Sequence, residues 1–411
     1  TKDPSRLTEG PVAFRCAGLN ALVAATFFTV NPAVVYLKWA NTSVTLNQQP
    51  NPFPNIEWKT ILGQIESKAK AKEKLPTWFS TPNIIYPPKI SIEQTSSEIT
   101  ASFKSNLISG TNLIDLTGGF GVDDFYFAKK FQKIVHCEIN PELSAITTHN
   151  FTQLKALNIE CKTGDSQDIL NNIDKNWDWI YIDPSRRNES KGKVFMLKDC
   201  LPNVPENIDF YFTKSTSILI KTAPLLDLTA GLSELKNVKS IHIVALNNEV
   251  KELLWELHKD YNGHVFIKTV NLLKNKEEKF ELPTYDCEPT YGLPEEYLYE
   301  PNSAIMKSGG FDVVSSVFKL NKLHLNSHLY TNSELIDFPG RRFKINKKLN
   351  YNKLDIKNNL ANQKANITTR NFPESVENIK KKWKIKDGGN SYCFFTTDIN
   401  NDKIVLICSK I

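Results

Sequence analysis

The chain has 411 residues, of which 40% are hydrophobic and 23% are charged. This composition is typical of a globular protein with about two to four domains, and it excludes a disordered, collagen-like or disulfide-stapled chain. The seven cysteines stand singly and form no CxxC pair. The sequence therefore predicts neither a zinc ribbon nor an iron–sulfur site, and it is typical of a reducing compartment.

The positive charge is concentrated towards the C-terminal end. The whole chain carries a net charge of +6, whereas residues 341–386 contain fourteen Lys or Arg and three acids, a local net charge of +11. The remainder of the chain is therefore mildly acidic. This asymmetry predicts that the C-terminal part binds a polyanion.

Residues 17–37 form the most apolar stretch of the chain. Asn20, Asn31 and Pro32 interrupt it, and about twenty uninterrupted apolar residues are needed to span a bilayer. The stretch also lacks the basic start and the small-residue cleavage site of a signal peptide. We expect a core helix followed by a strand, in a soluble, cytoplasmic protein.

Regular elements begin after the proline-rich loop 47–54. Residues 58–74 predict a helix that ends in lysines before Pro76, and residues 90–104 follow a second break at Tyr86-Pro87-Pro88. Short β-branched runs then alternate with longer amphipathic runs. The predicted strands are 112–116, 133–138, 159–162, 179–182, 217–221, 240–246 and 264–270, and the predicted helices between them are 122–130, 141–157 and 249–259.

This alternation predicts an α/β fold with a doubly wound, mostly parallel sheet. From about residue 281 the segments become shorter and mixed, which indicates further small domains. We expect four regions in all. They are a mainly helical region at 1–87, a sheet domain at 88–280, a small α+β, ferredoxin-like domain at 281–328 and a basic domain at 329–411.

A glycine loop follows the first predicted strand. Asp115 lies at the strand end, and the run Thr117-Gly118-Gly119-Phe120-Gly121 leads directly into a helix. A strand, a glycine turn and a helix N-terminus form a generic nucleotide pocket, because glycines let a ligand approach the backbone. A tight turn alone also explains such a loop.

Two further strand ends carry acids that sharpen this interpretation. Glu138 ends the second strand, 23 residues after Asp115, where a carboxylate can accept hydrogen bonds from both hydroxyls of a ribose. Gly164, Asp165 and Ser166 follow the third strand, where a carboxylate and a backbone amide can contact an adenine edge. The three strand ends together predict a nucleoside-binding crevice.

The loop does not fit a dinucleotide dehydrogenase. The dehydrogenase fingerprint requires a third small residue where Asp124 stands, and Asp123 with Asp124 would repel a pyrophosphate. Two acids at the start of the helix tolerate a ligand with a cationic sulfonium. We therefore favour S-adenosylmethionine over NAD as the cofactor.

The fourth strand ends in Asp183-Pro184-Ser185-Arg186-Arg187. In an open α/β sheet, the carboxyl ends of the central strands line the ligand crevice. An Asp-Pro turn there presents a carboxylate and backbone carbonyls beside the cofactor, and the arginines can bind phosphate or stack on a base. The alternative is a surface turn with solvated arginines.

Together these motifs resemble those of class I S-adenosylmethionine-dependent methyltransferases. More closely, the chain resembles a bacterial methyltransferase family with an N-terminal helical part and a C-terminal THUMP-like domain. The stretches that carry the resemblance are KAKAKEKLPTW (68–78), SIEQTSSEITASFK (91–104), DLTGGFGVDD (115–124), YIDPSRR (181–187), YEPNSAIMKSGGF (299–311), FPGRRF (338–343) and RNFPES (370–375). They cover most of residues 55–411.

The resemblance implies a Rossmann-like, seven-stranded methyltransferase sheet and small α+β C-terminal domains. It also implies methyl transfer from S-adenosylmethionine to RNA (tRNA or rRNA), because THUMP domains generally accompany RNA-modifying enzymes. The cofactor contacts that it implies are Glu93, Gln94, Thr95, Ser96, Asp115, Thr117, Gly119, Gly121, Glu138, Ile139, Gly164, Asp165, Ser166 and Asp183. The catalytic loop is Asp183, Pro184, Ser185 and Arg186, and the RNA contacts suggested by the charge are Arg187, Arg341, Arg342, Arg370, Lys380, Lys381 and Lys382.

The catalytic loop leaves the methylated atom open. Enzymes that methylate exocyclic amines usually carry Asn/Asp-Pro-Pro-aromatic there, and Ser185 and Arg186 replace the last two residues. Methylation at carbon 5 of a pyrimidine needs a nucleophilic cysteine, and Cys200 is better explained as a buried small residue. A small-molecule or protein methyltransferase and a non-catalytic RNA-binding protein with the same fold are the alternatives.

Two further features have no assigned chemistry. The histidines show no metal-binding spacing except the pair His324 and His328, which lacks a third ligand, so we expect no metal. Residues 247–252 (NNEVKE) resemble a recurrent stretch of the family, but the sequence indicates no chemical role for them.

Overall fold

The computed structural model describes residues 58–186 and 196–411. The apolar stretch 17–37 and Arg187 therefore lie outside the described residues. Contacts divide the chain into two compact units, Thr1–Ser190 with Lys198–Ile220, and Lys191–Leu197 with Lys221–Ile411. Each helix in the described ranges is too short or too polar to cross a membrane.

The described residues of the first unit begin at residue 58 with four helices, in agreement with the helical part predicted before the sheet. The lysine-rich helix predicted at 58–74 is confirmed, and Pro76 starts the next helix because proline is tolerated in a first turn. The segment predicted at 90–104 is split at Thr95, and Ser97 caps its second helix by accepting from Thr100 N. The helices are α1 (Trp58–Lys74), α2 (Pro76–Ser80), α3 (Lys89–Gln94) and α4 (Glu98–Ser105).

A sheet and the helices between its strands complete the first unit. The strands are β1 (Gly110–Asp115), β2 (Phe131–Glu138), β3 (Ile159–Thr163), β4 (Trp179–Ile182), the short β5 (Ser185–Arg186) and β6 (Cys200–Leu201), and β7 (Ser217–Thr222). The helices are α5 (Val122–Phe127), α6 (Pro141–Gln153), α7 (Ser166–Asn172) and α8 (Val204–Lys214). Five strands are parallel in the order β3-β2-β1-β4-β7, so their carboxyl ends meet at one edge.

The second unit continues with one helix and four further strands. They are α9 (Leu228–Glu234), β8 (Val238–Leu246), β9 (Glu249–His258), β10 (Phe266–Leu272) and β11 (Glu277–Glu281). Strands β8 and β10 are parallel, whereas β9 and β11 are antiparallel to their neighbours. All seven strands predicted from the sequence are present, and the α/β fold class is confirmed.

The helix predicted at 249–259 is wrong, because these residues form β9. The apolar residues Val250, Leu253, Leu254 and Leu257 repeat with a helical spacing, which is why the pattern was misleading. Leu253, Leu254 and Trp255 are all fully buried. A strand that is buried on both faces shows a continuous apolar run instead of an alternation, and periodicity alone cannot tell it from a helix.

The C-terminal part of the second unit forms its own sheet of eight strands. Its elements are β12 (Thr290–Tyr291), β13 (Tyr297–Pro301), α10 (Ser303–Ser308), α11 (Phe311–Phe318), β14 (Asn321–Lys322), β15 (Tyr330–Asn332), β16 (Gly340–Asn350), α12 (Lys353–Asn359), β17 (Asn366–Arg370), α13 (Val376–Trp383), β18 (Ser391–Thr397) and β19 (Lys403–Lys410). The strand order is β12-β14-β15-β13-β16-β19-β18-β17. Its core contains fully buried Leu298, Phe343, Phe394 and Leu406.

One buried glutamate joins distant strands of this sheet. Glu300 on β13 is 2% exposed and accepts hydrogen bonds from Arg341 Nε on the adjacent β16 (2.6 Å) and from Arg370 Nη2 on β17 (2.8 Å). The three residues come from the three motifs YEPNSAIMKSGGF, FPGRRF and RNFPES. These motifs therefore share a structural task, which is to hold the C-terminal sheet together through a paired buried charge.

The unassigned stretch 247–252 also has a structural role. Asn247 and Asn248 both adopt left-handed backbone conformations, with φ of +51° and +64°, and form the turn between β8 and β9. Asn248 Oδ1 accepts from Ser303 N (2.8 Å), and Asn248 N donates to Asn271 Oδ1 (2.8 Å). The asparagine turn thus fixes the β8–β9 hairpin to the first residue of α10.

Candidate active site

The glycine loop between β1 and α5 is packed on one side and open on the other. A Cβ atom on Gly118 would lie 2.1 Å from the His136 ring, and one on Gly121 would lie 2.4 Å from the Phe151 ring. Gly119 has a left-handed φ of +57°, and a Cβ there would meet only one atom, at 3.7 Å. A ligand can therefore approach the backbone at Gly119, while its neighbours anchor the loop.

Substituting Gly118 by alanine is expected to lower the free energy of unfolding by about 1–3 kcal/mol, because the added methyl group overlaps the buried His136 ring. Gly63 in α1 provides the matched control, since a Cβ there meets nothing within 4 Å. Gly63→Ala is expected to be neutral or to stabilise by up to about 1 kcal/mol. Urea unfolding of both variants measures the difference, and equal stability of the two would show that the loop is not packed on His136.

Asp115 accepts hydrogen bonds from the glycine loop and, through Thr117, connects this loop to the Asp-Pro turn after β4. It is 2% exposed, and its Oδ1 accepts from Thr117 N (2.7 Å) and Thr117 Oγ1 (3.0 Å). Thr117 Oγ1 in turn accepts from Asp183 N (2.7 Å). Asp115 and Thr117 therefore join the end of β1 to the end of β4.

Asp124 is paired inside the protein. Its Oδ2 lies 2.6 Å from Nδ1 of His136, and both side chains are fully buried. Burial raises the pKa of the Asp124 carboxyl well above its usual range and lowers the pKa of the His136 imidazole. Burial and the adjacent Asp124 also raise the pKa of Asp115. Burial therefore disfavours the charged form of each of these side chains.

Asp123 belongs to a second buried network. The fully buried Lys104 places Nζ 3.1 Å from Asp123 Oδ1 and donates to Ser96 Oγ (2.9 Å). Asp123 Oδ2 accepts from Ser96 Oγ (2.9 Å) and from the Tyr181 hydroxyl (2.8 Å). The repulsion of a pyrophosphate inferred from Asp123 and Asp124 is therefore wrong, because both acids have internal partners. Asp123 ties α5 to α4 and β4, and Asp124 ties α5 to β2.

Replacing Lys104 by methionine is expected to destabilise the protein by about 3–5 kcal/mol, because it removes the buried ammonium group that pairs with the Asp123 carboxylate. The double variant Lys104→Met/Asp123→Asn removes the charge as well, and it is expected to recover part of this loss. Urea unfolding of the parent, Lys104→Met, Asp123→Asn and the double variant completes the cycle. A loss in the double variant that equals the sum of the two single losses would contradict a stabilising contact between Lys104 and Asp123.

The segment preceding β1 contributes unequally to the site. Glu93 and Gln94 are exposed at the end of α3, and Glu93 Oε1 lies 3.3 Å from Lys70 Nζ. Thr95 ends that helix and is half-buried. Among these four predicted cofactor contacts, Ser96 is the buried one, and it reaches the start of α5 through Asp123.

Glu138 and Ile139 lie at the end of β2, beside the open side of the glycine loop. The Glu138 carboxylate accepts from Gly119 N (3.0 Å) and from Asn140 N (2.7 Å). A carboxylate has about four acceptor positions, so it can still accept from two ligand hydroxyls. Ile139 is 70% exposed. An exposed apolar side chain next to a carboxylate is suited to a nucleoside, whose ring needs an apolar contact and whose sugar needs acceptors.

The end of β3 offers a second open glycine. Gly164 has a φ of +139°, and a Cβ there would meet one atom, at 3.9 Å. Its amide donates to Glu138 O (3.0 Å), which places it beside the end of β2. Asp165 Oδ1 accepts from Gln167 N (2.8 Å) and Asp168 N (3.1 Å), so it is the N-cap of α7, of which Ser166 is the first residue. A helix cap explains Asp165 as well as a ligand does.

The Asp-Pro turn after β4 is fixed by a short ladder. Asp183 is half-buried, Pro184 is buried and Ser185 is exposed. Ser185 pairs with Leu201 and Arg186 pairs with Cys200 in the antiparallel β5–β6 ladder. Cys200 is fully buried, which agrees with the packing role expected for it.

The predicted RNA contacts in the second unit are mostly ion-paired. Arg342 Nη1 lies 3.4 Å from Asp337 Oδ1, Lys380 pairs with Asp387, and Lys382 Nζ lies 3.0 Å from Glu374 Oε1. Arg341 and Arg370 bind Glu300, as described above. Lys381 is exposed and, within the described ranges, has no ion pair.

The histidine pair also has other partners. His324 Nε2 lies 3.2 Å from Asn401 Oδ1, and its Nδ1 lies 2.9 Å from Asn371 Nδ2. The His328 ring stacks on Phe311 with 3.6 Å between ring centroids. In the part of the chain that the structure describes, no group of three or more His, Cys, Asp or Glu is arranged to hold a metal ion.

The sequence patterns did not identify Lys104 and Tyr181, which both contact Asp123 at the start of α5. Lys104 follows the buried Thr100 and Ala101 by four and three residues, so its position on the buried face of α4 could have been predicted. Tyr181 lies in a wholly buried strand, where a hydroxyl needs a partner. Neither signal identifies the shared partner, Asp123, which lies on α5, a different element from those of Lys104 and Tyr181.

Comparisons with known proteins agree with this architecture. A family model described as a ferredoxin-like domain matches residues 297–339, and one described as THUMP domain-like matches residues 340–410. None of the curated proteins matches the chain. Weak similarities, with TM-scores of 0.29 and 0.32, link 40% of the chain to an rRNA methylase from Streptococcus thermophilus (15% identity, 98% of that chain) and to TrmK of M. capricolum in complex with S-adenosyl-homocysteine (14% identity, 70% of that chain).

A much stronger similarity extends over almost the whole chain. The crystal structure of a candidate methyltransferase from Porphyromonas gingivalis W83 superimposes with a TM-score of 0.81 and 30% identity, over 92% of this chain and 96% of that one. The superposition thus extends over most of both chains. The chain belongs to the bacterial methyltransferase family with a C-terminal THUMP-like domain.

Proposed function

We propose that the protein is an S-adenosylmethionine-dependent methyltransferase that modifies a base of a structured RNA, tRNA or rRNA. The observation that carries the proposal is one edge of the first-unit sheet. There the two open glycines, Gly119 and Gly164, flank the Glu138 carboxylate, and Thr117 connects the same loop to Asp183. Binding groups and a reactive carboxylate thus occupy neighbouring strand ends.

The residues present fit S-adenosylmethionine. Glu138 would accept from the ribose hydroxyls, and the exposed Ile139 would pack against the adenine. Asp165 and Ser166 would face the adenine edge at the end of β3. Gly119 leaves room for the ligand beside the backbone, because no side chain fills that side of the loop.

The bound cofactor would supply an electrophilic methyl group. Asp183 would orient the nucleophilic atom of the substrate by accepting a hydrogen bond from it and, where that atom carries a proton, would take the proton. The bond from Asp183 N to Thr117 keeps this carboxylate at a fixed place relative to the glycine loop. Positioning of this kind accounts for much of the rate of a displacement reaction.

The C-terminal sheet supports RNA as the substrate. Its THUMP domain-like segment, 340–410, carries the local excess of positive charge, which a small-molecule substrate does not require. A small-molecule or protein methyltransferase and a non-catalytic RNA-binding protein remain the alternatives against which the proposal is tested.

Two measurements on the full-length protein test the proposal. Calorimetry with S-adenosylmethionine and S-adenosylhomocysteine is expected to show one site for each. Mass spectrometry of nucleosides is expected to show one methylated nucleoside that disappears from RNA when the gene is deleted and returns when purified protein is added with the cofactor. Cofactor binding without an RNA product would favour the small-molecule or protein substrate, and absence of cofactor binding would favour the non-catalytic alternative.

A further inference from the structure

Seven of the sixteen cations in the THUMP-like segment, residues 340–410, are paired with acids of the same chain. Arg341 and Arg370 share Glu300, and Arg342 pairs with Asp337. Four lysines pair with single acids, namely Lys344 with Glu296, Lys348 with Asp398, Lys380 with Asp387, and Lys382 with Glu374. A charge that is already paired contributes less to binding an external anion, because its partner must be displaced or remains as a repulsive charge. The count of positive charges therefore overstates the surface that can bind a polyanion.

The other nine cations of the segment have no ion pair in the described residues, and four exposed lysines among them lie close together along the backbone. We call Lys364, Lys381, Lys384 and Lys386 the unpaired lysine patch. In residues 58–186 and 196–411, none of the four has an acid within ion-pair distance or a side-chain hydrogen bond. Charge that has no partner within the protein is fully available to an external anion.

The backbone brings the members of the patch together. Lys364 and Lys386 face each other in a parallel β-bridge, where Lys386 N donates to Gln363 O (2.9 Å) and Ala365 N donates to Lys386 O (3.0 Å). Lys384 lies two residues before Lys386, on the other side of the buried Ile385, and Lys381 is on the last turn of α13. Lys381, Lys384 and Lys386 therefore lie at one end of α13 and in the segment after it, and the bridge places Lys364 beside Lys386.

This arrangement opposes the stability of the isolated domain. Two like charges directly opposite each other across a pair of strands are destabilising. Lys384 is also left-handed, with a φ of +53°, at a helix end where glycine or asparagine is preferred. The helix dipole favours a lysine in the last turn and so explains Lys381, but it does not explain the opposed Lys364 and Lys386.

The surroundings of the patch are polar. Asn362, Gln363, Gly389 and Asn390 are exposed, and residues 361–390 expose no large hydrophobic side chain. A membrane-binding surface combines cations with apolar side chains that insert between lipids. The patch lacks that second component, whereas a row of cations with amide side chains suits the phosphates and hydroxyls of a nucleic acid.

We propose that the unpaired lysine patch binds the phosphodiester backbone of the RNA, and that Arg341 and Arg370 hold the C-terminal sheet together instead. The inference rests on the proposed function, since it names the surface that carries its substrate. It also changes the residues that are expected to contact RNA. Of the RNA contacts predicted from the sequence, only Lys381 belongs to the patch.

The test compares two triple variants of the full-length protein that remove the same charge. The patch variant is Lys364→Gln/Lys384→Gln/Lys386→Gln, and the control variant is Lys344→Gln/Lys380→Gln/Lys382→Gln. Fluorescence anisotropy measures binding of a fluorescein-labelled RNA stem-loop and of total tRNA at a series of KCl concentrations. The patch variant is expected to lose about tenfold or more in affinity near physiological salt, and its slope of log K against log[KCl] should flatten by about two to three units. The control variant should change the slope by less than about one unit.

The outcomes separate the inference from the function on which it rests. Equal losses in the two variants, or RNA binding by the patch variant that matches the parent, would overturn the patch and leave RNA as the substrate. A parent protein that binds S-adenosylmethionine but no RNA would overturn the proposed substrate itself. Binding of the parent to phosphatidylserine vesicles that is lost in the patch variant, with RNA binding unchanged, would identify a membrane surface instead. Urea unfolding of both variants checks that each is folded at the assay temperature.

Discussion

Replacing Glu138 by alanine is expected to weaken S-adenosylmethionine binding by about 10- to 150-fold. Hydrogen bonds to a charged group contribute about 1.5–3 kcal/mol, and about 1.4 kcal/mol corresponds to a tenfold change in affinity. The carboxylate also accepts from Gly119 N, so its removal loosens the open side of the glycine loop. Calorimetric titration of the parent and the variant with S-adenosylmethionine measures the change.

Two further variants separate the direct contact from general effects. Glu142 is an exposed acid in the first turn of α6, and Glu142→Ala is expected to leave cofactor affinity unchanged. Glu138→Gln keeps an oxygen that can accept from Gly119 N but loses the charge, so its affinity should lie between those of the parent and Glu138→Ala. Parent-like affinity in Glu138→Ala would remove the assignment of the ribose site to the end of β2.

The sheet was predictable because most of its strands have a local sequence pattern typical of a strand. Runs such as 179–182 are β-branched or aromatic, short and bounded by polar residues, and β4 has the predicted bounds. The run 249–258 lacks such a signal, since its apolar residues fit a helix and a buried strand equally well. Only pairing with β8 decides between them, and pairing is a tertiary property.

The basic residues between 341 and 386 show that counting charges in a sequence does not reveal which of them are paired with acids. Arg341 and Arg370 are separated by 41 and 70 residues from Glu300, the acid that they share. No local pattern indicates such a pair, so both arginines were predicted to contact RNA. The charge count also suggests that residues 329–411 form a binding domain that can be removed from the chain. In the structure, however, β13 lies before residue 329 and pairs over five residue pairs with β16, which lies inside this range. Deleting 329–411 would remove strand partners from the sheet that remains.

The candidate site was predictable in outline, and its internal contacts were not. The strand ends at Asp115, Glu138, Gly164 and Asp183 do neighbour one another, because parallel strands bring their carboxyl ends to one edge. The directions of Asp123 and Asp124 depend instead on burial of Lys104 and His136, which come from other elements. The sequence shows the two acids at the start of α5, but it does not show the internal partners that pair with them inside the protein.

Replacing Asp183 by alanine is expected to lower the rate of methyl transfer by about 10²- to 10⁴-fold, the range for loss of a general base or a positioning carboxylate. The affinity for S-adenosylmethionine should change by less than about threefold, or about 0.7 kcal/mol. The reason is that the backbone amide of Asp183, and not its carboxylate, donates to Thr117 Oγ1, and alanine keeps that amide. The measurement is incorporation of tritiated methyl groups into RNA from cells that lack the gene, together with calorimetry of the cofactor.

Two comparison variants give this result its meaning. Asp168→Ala removes an exposed carboxylate from the first turn of α7 and is expected to leave both rate and affinity unchanged. Thr117→Val keeps the shape of the side chain but removes the hydroxyl that joins Asp115 to Asp183, so it should impair cofactor binding and methyl transfer together. A loss of transfer confined to Asp183→Ala would assign the carboxylate to the reacting substrate. If Asp183→Ala instead transfers methyl groups at the parent rate, the residue serves only the turn after β4, and the nucleophile must be oriented by another group at this edge.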